Sequence, residues 1–558
     1  MKRHRSLHHV FTAIVMTSCL AGSPTSTVLA QVSEARLKEL VEAATAKQAQ
    51  GPFTFSVQAP TGAGPVVALT IEDAVRLALE HNLDIAVQRM NPEIRDIAVA
   101  TAGAFYHPTL TSTINRSSTT STPTNQLNIA SGGVNTVQGT MTYNAGISQQ
   151  LPWWGSTLTG TMNNNRQESN GNNVTFNPTY NSTWSTTLTV PLLRDRTIDP
   201  QRRSLIVSKV NRDISDIQLK QSLTNLVSNV RNAYWDFVYA NEAVDSARQS
   251  LALASKLVED NTVKVEVGTM APIDITSAKA SEASRNVSVV QANNNRRTSE
   301  LTLKNLIVGG TDDPIWMATL NPTDRPEFLP EPVDVPAAIS RALANRTDLA
   351  IVKKNLELNQ VALKLYKNNA LPTVDAGLTY GLSGVGGTQL IRSNVGVLGS
   401  QVTQTIPGGI GDALATLLRG RNPRWTLSLA INYPLGVNPQ ETQLATANVQ
   451  LNQIQAQLRS IELQVASQIS QAAINLTNTA ESVQAAQIAR TLTQQQLDAE
   501  QSKFEVGMST NYQVVQYQRD LADARNSELR AILNYRKARV EWERLQETSL
   551  SSANIQIL

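Results

Sequence analysis

The sequence predicts a mainly α-helical protein with a membrane β region: long coiled-coil-like helices forming part of a helical barrel, joined to a sector of transmembrane β-barrel, in two internal repeats. Three observations predict it. Two polar-rich helical runs, from about Pro200 to Glu266 and from about Gln440 to Glu505, contain no internal proline or glycine. Each is long enough for one helix of roughly 100 Å at ~1.5 Å per residue, against an average helix of roughly 11 or 12 residues. Both runs close on the same kind of tip, Lys264-Val265-Glu266-Val267-Gly268 and Lys503-Phe504-Glu505-Val506-Gly507. Between the helical stretches the apolar period drops to two, as in short strands.

Composition sets the bounds. At 558 residues with a formal net charge of +3, the chain has room for two to four domains by length and gives no reason to expect a nucleic-acid partner. Ala, Gln, Ser, Thr and Asn fill the helical patterns, so the helices are expected to pack on thin seams. No stretch after the N-terminus offers the ~20 apolar residues of a spanning helix, so any membrane crossing falls to β-strands.

Residues 1–30 read as a signal peptide: Lys2, Arg3 and Arg5, an apolar core from about Val10 to Leu20, then Val28-Leu29-Ala30 before Gln31. Removal after Ala30 is the favoured reading. Lipidation at Cys19, the single cysteine, behind Met16-Thr17-Ser18, is the competing one. A mature terminus at Gln31 excludes the lipid. Residues 31–67 form an N-terminal extension with no assigned role.

The first repeat spans 68–310. A helix begins at Thr70, a residue type that caps, with Glu72 and Asp73 in its first turn, and is expected to run to about Phe105. Strands follow at Thr109 to Asn115, Thr140 to Gln149, Ser156 to Asn163 and Ser182 to Val190, within about 108–191. Alternation of apolar residues with Thr, Ser and Asn is the signature of an outer-membrane barrel. Trp153 and Trp154, in the turn between the middle two, suit a membrane-interface belt, the other reading being a buried anchor of a soluble sheet. The long helix carries Val207, Val210, Ile214, Ile217, Leu223, Val227, Val230, Tyr234 and Phe237 at helical spacing. After the Gly268 tip, Pro272 suits the first turn of a shorter helix that ends near Leu306.

A Pro-rich linker at 311–333 separates this from the second repeat, 334–548. Arg76-Leu77-Ala78-Leu79 corresponds to Ser340-Arg341-Ala342-Leu343, Asp84-Ile85-Ala86 to Asp348-Leu349-Ala350, and Pro108-Thr109 to Pro372-Thr373 at one constant shift. The closing strands, ending at Val190-Pro191-Leu192 and Tyr433-Pro434-Leu435, correspond at a smaller shift. The first repeat therefore carries an insertion, assigned to the hairpin around Trp153. In the second repeat, strands at Thr373 to Gly381 and Arg424 to Tyr433, within about 372–435, flank Gly384, Gly386, Gly387, Gly408, Gly409 and Gly411. These lack the Lys-Ser/Thr ending of a phosphate loop and are expected to form a flexible barrel loop. Leu444, Leu451, Ile454, Leu458, Ile461, Val465 and Ile469 mark a coiled-coil seam on the second long helix. A tail, 549–558, closes the chain.

Two short helices of about 35 residues match one long helix in length at ~1.5 Å per residue. Stacked end to end beside it, they make a rod with strands at one end and Val-Gly tips at the other. So few strands cannot close a barrel, and an open edge cannot sit in lipid, so several chains must close it together.

From about Leu69 to Leu545 the chain resembles the TolC-type outer-membrane efflux proteins. The likeness is carried by the Leu69-Thr70-Ile71-Glu72-Asp73-Ala74-Val75 helix start with Ala78-Leu79 and Asn82, its partner from Ala337 to Asn345, the Pro-Leu strand exits and both Val-Gly tips. The resemblance implies a homotrimer with a β-barrel in the outer-membrane lipid and a helical tunnel through the periplasm. It further implies docking of a periplasmic adaptor (a membrane fusion protein) near the tips, for which Val267, Gly268, Val506 and Gly507 are the expected residues, and coupling to an inner-membrane transporter. Members of the family often carry acidic residues past the second tip that narrow the tunnel mouth. Here the matching positions are Gln513 and Gln516, whereas the first tip keeps Asp274, itself suited to a helix N-terminus. Uncharged amides hold cations less tightly than carboxylates, so weaker cation block is expected.

No catalytic constellation competes. Of five histidines, His4, His8 and His9 lie in the signal segment, leaving His81 and His107. The expectation is a passive duct with no enzyme activity, cofactor or metal. A secreted or surface-anchored coiled-coil fibre is the alternative, and it leaves the two β regions and the two tips unaccounted for.

Overall fold

The computed structural model describes residues 65–122, 135–171, 174–325, 328, 330, 332–392, 402–433, 435 and 439–552. The signal segment, Cys19, most of the N-terminal extension and the end of the tail lie outside the described residues.

Strand β1 (Val66–Leu69) and helices α1 (Ile71–His81) and α2 (Leu83–Ala104) lead into β2 (Thr109–Ser121), β3 (Thr136–Gln150), β4 (Thr157–Ser169) and β5 (Phe176–Pro191). Helices α3 (Pro200–Glu266) and α4 (Pro272–Ile307) follow, then the single turn α5 (Pro314–Met317) and β6 (Thr319–Pro322). After these come α6 (Val335–Asn345), α7 (Thr347–Asn369), β7 (Thr373–Arg392), β8 (Val402–Ile406), α8 (Ile410–Leu418) and β9 (Pro423–Asn432). Helices α9 (Pro439–Glu505), α10 (Asn511–Leu545) and α11 (Ser549–Ser552) complete the order.

Local chemistry explains the helix limits. Asp199 caps α3 by accepting from the Arg202 amide at 2.7 Å, with Pro200 in the first turn. Thr70 caps α1 in the same way through the Asp73 amide. The single helix expected from Thr70 to Phe105 is in fact two. Asn82 takes an extended backbone, caps α2 through the Ile85 amide at 3.1 Å and donates its own side-chain amide to the Leu306 carbonyl at 3.0 Å, so it stops one helix and starts the next. Arg346 separates α6 from α7 at the corresponding place.

The main core lies midway along α3. Val227, Val230, Tyr234 and Phe237 pack with Leu69, Leu303, Ile307 and Leu320. The Pro-rich linker does more than connect: β6 pairs in parallel with β1, Val66 opposite Thr319 and Leu69 opposite Pro322. Asp324, just beyond, accepts from the Ile71 amide at 2.7 Å and from the Tyr234 hydroxyl at 2.7 Å. Burial, and then the hydrogen bond to Asp324, push the Tyr234 phenol far above its ordinary pKa.

Across the helical wall, α3 packs against α2 and α4 on one side and α7 and α10 on the other, while α9 packs on α6, α7 and α10. The order is thus α2-α3-α7-α9 near the sheet and α4-α3-α10-α9 toward the tips, with α2, α4 and α9 at the edges. The sheet runs β2-β3-β4-β5-β7, and β7 then pairs with β9 along its first half and with β8 at its far end; every one of these pairings is antiparallel.

The glycine cluster is not a flexible loop. Gly384, Gly386 and Gly387 belong to β7, and Gly409 caps α8, its amide donating to Asp412 at 2.8 Å. A Cβ on Gly386 would lie 2.6 Å from the Gly409 carbonyl oxygen, and one on Gly384 would collide with the Ala413 carbonyl. The glycines let α8 lie directly on the strand, the close-approach use of glycine within a sheet.

Candidate functional site

Two ends of the molecule carry the functional candidates. At the helical end, α3 and α9 both stop with a glycine in the left-handed region, Gly268 at φ 81° and Gly507 at φ 78°. The Thr269 amide donates to the Lys264 carbonyl at 2.9 Å and the Met508 amide to the Lys503 carbonyl at 2.8 Å, closing each helix in the same six-residue motif. This exposes a ring of apolar side chains: Val267, Ile273, Val506, Met508 and Tyr512 stand in solvent.

The two tips touch. The Lys264 ammonium sits 3.8 Å from the Phe504 ring centroid, and the Phe504 ring packs with Leu257 and Val514. Fully buried Asn261 donates to the Asn511 side chain at 2.9 Å, and Asn511 donates to the Asp274 carbonyl at 3.3 Å. Asp274 therefore lies beside the start of α10, whose first two turns carry Gln513 and Gln516. Both amides have partners in the chain. Gln513 closes a capping box with Thr510, and Gln516 donates to Asp520 at 2.9 Å. Glu500, on the last turns of α9, accepts from the Ser509 hydroxyl at 2.5 Å and from Lys503 at 3.1 Å. The Ser509 bond first, and Lys503 after it, hold its carboxyl below the ordinary glutamate value.

At the other end, pairing register sorts the sheet into two faces. One carries the rows Leu110, Ile147, Tyr380 and Trp425, then Met162, Trp184 and Leu382, then Leu158, Leu188, Leu378 and Leu427. The opposite face carries Thr111, Thr161, Ser185 and Arg424, and Thr109, Ser148, Thr159, Thr187, Thr379 and Thr426. Apolar Trp425, Leu427, Leu429 and Ile431 alternate along β9 and are all well exposed, as are Leu110 and Ile114 on β2. Trp153 and Trp154 occupy the β3–β4 turn on the helix side and are exposed in the single chain. Trp184 and Tyr380 meet edge to face at 6.3 Å farther up the same apolar face. The structure thus keeps the tryptophan pair and the tip residues at opposite ends.

Sequence reading missed the edge stripes. Leu83, Val87, Met90, Ile94 and Ile97 follow a four-three spacing along α2 and are exposed, Leu83 at 61%. Ile273, Val287 and Leu301 repeat at two-heptad spacing on α4. On α9, Val449 and Leu463 and then Ile474 and Ile488 do the same, Leu463 at 74% exposure. The heptad spacing is visible in the sequence, but burial is needed to show that nothing among the described residues covers it. Among the described residues no cluster of His, Cys, Asp and Glu could hold a metal, and no helix is long and apolar enough to cross a membrane.

The sheet has two chemically distinct faces and continues into a wall of long helices. Residues 143–309 match the family model described as outer membrane efflux protein. No curated protein sequence matches the chain. Among solved structures, the CmeC outer membrane channel of Campylobacter jejuni is similar at 13% identity and a TM-score of 0.59, over 86% of each chain. VceC from Vibrio cholerae is similar at 13% identity and TM-score 0.58, over 86% of this chain and 96% of that one. The open-state MtrE channel of Neisseria gonorrhoeae is similar at 15% identity and TM-score 0.55, over 86% and 89%. At these identities the likeness is one of fold.

Proposed function

We propose that three copies of this chain close into one hollow cylinder, the passive exit duct of a tripartite efflux or type I secretion system. One observation carries this reading: among the described residues, both lateral edges of the molecule are unfinished from the sheet to the tips. On one side lie β2, α2 and α4 with their bare apolar stripes; on the other lie β9 and α9 with theirs. Head-to-tail contacts of this kind close into rings, and lipid tolerates strands only when no edge remains. The apolar sheet face then meets lipid, and the Thr- and Ser-rich face lines a water-filled lumen. Trp153 and Trp154 mark the periplasmic interface.

In this reading a periplasmic adaptor docks on the tips through Val267, Gly268, Val506 and Gly507, and an inner-membrane transporter supplies the energy. Asp274, Gln513 and Gln516 surround the tunnel mouth. The chain does no chemistry. A secreted fibre is disfavoured because its sheet would expose Trp425, Leu427, Leu429 and Ile431 to water. The test is reconstitution of outer-membrane protein in planar bilayers, with gel migration before and after heating. Heat-modifiable oligomers and discrete conductance steps support the duct. A soluble, non-conducting rod overturns it. Block by multivalent cations is expected to be weak, and strong block lost on Gln513→Ala contradicts that part.

A further inference from the structure

We propose that each chain contributes six strands to the barrel wall, so that three chains make a barrel of eighteen, and that the β3–β4 hairpin is the element that sets its width. This rests on the three-copy assembly above. The hairpin is built into the wall: β3 pairs with β2 and β4 with β5 along nearly their full lengths. Its polar face continues that of β5, the Thr161 and Ser185 hydroxyls standing 2.8 Å apart. Its apolar face continues too, with Met162 opposite Trp184.

Strand β8 does not extend the wall. It pairs only with the end of β7, Gln389 to Arg392, beyond the reach of β9, which covers Thr373 to Leu382. The wall strands are therefore β2, β3, β4, β5, β7 and β9. Their directions alternate, so β9 of one copy meets β2 of the next antiparallel, the arrangement every other neighbour already has. An odd number would force a parallel seam. Barrel diameter grows about linearly with strand number, and barrels of roughly 16 to 18 strands leave an open aqueous channel. Without the hairpin the same chain would supply four strands and about two thirds of that width. The sheet end is then the wide end of the duct, and the tips govern passage.

Two experiments test this on the full-length trimer. In the first, Thr161→Cys with Ser185→Cys is oxidised in outer-membrane vesicles. The expected result is complete intrachain disulfide formation in intact trimers. The second compares electron micrographs of the native protein with a variant lacking residues 122–170, in which β2 is joined to β5, already opposite in direction. The deletion is expected to keep the trimer and narrow the β end by about one third. Intact trimers whose 161–185 pair stays reduced, or whose β end keeps its width after deletion, overturn the six-strand wall and leave the three-copy duct standing. A native protein that is not trimeric overturns both.

Discussion

Helices α3 and α9 are each 67 residues long and end in the same glycine tip, yet they live in different surroundings. Helix α3 has partners on both sides and buries the run from Leu223 through Val227, Val230 and Tyr234 to Phe237. Among the described residues, helix α9 has partners on one side only. Val465, Ile469 and Val483 are buried, while Val449, Leu463, Ile474 and Ile488 on its other side stay in solvent. The described residues therefore complete the packing of only one of the two long helices. The second leaves an apolar stripe that nothing among the described residues covers.

The comparison can be broken most severely at α3. Phe237→Ala empties a fully buried site and is expected to cost about 3–5 kcal/mol, with loss of folded protein as read by thermal melting; a small shift would mean that the α3 core is not what holds the subunit. On α9 the expected effect separates folding from assembly. Leu463→Asp leaves the helical content of the subunit intact by circular dichroism, but each copy forfeits about 1.5–3 kcal/mol of apolar burial and must bury a carboxylate as well. Trimers should be lost in detergent. Unchanged trimers would show that the α9 stripe faces something other than a second copy.

The tips should be gentler to disturb. Gly507→Val places a β-branched residue in the left-handed region at about 1–2 kcal/mol, with open space around the new side chain. Trimers are expected to persist while crosslinking to the adaptor falls; loss of the trimers themselves would reduce the tip to a turn. The smallest effect concerns acid. The Glu500 carboxyl is held below the ordinary glutamate value of 4.5. Its contribution to stability is therefore fully present above that value and is lost as pH falls through the lower folded one. Amide protection at Phe504 to Tyr512, taken relative to the intrinsic exchange rate at each pH, should fall on acidification below pH about 4, and Glu500→Gln should remove that dependence. Equal acid sensitivity in the two proteins would assign it to another group.

Much of this could be read from the residues. The absence of proline and glycine, with Gly268 and Gly507 as stops, set both long helices to within a residue of their observed limits. The strands were found by alternation but cut short, because beyond Asn163 and Gly381 the apolar side of the pattern turns to Asn164, Arg166, Gly384 and Gly386. Alternation fades there, and only hydrogen bonding to the neighbour keeps the strand. Helix α8 went unseen, since Gly408, Gly409 and Gly411 read as loop, while the clearance that seats the helix comes from Gly408 and from Gly384 and Gly386 on β7. The β1–β6 pair joins residues far apart in sequence, and neither strand of four residues carries a period long enough to detect. At the tips the sequence supplied the turns, but the Lys264–Phe504 and Asn261–Asn511 contacts depend on how two hairpins lie together.

The mass of the particle extracted from membranes, measured by native mass spectrometry in mild detergent, bears most directly on whether the bare edges are closed by further copies of the same chain. Three chains per particle, falling to one in Leu463→Asp, is the predicted result. A folded single chain in the native protein, with its β2 and β9 edges still open, would contradict it.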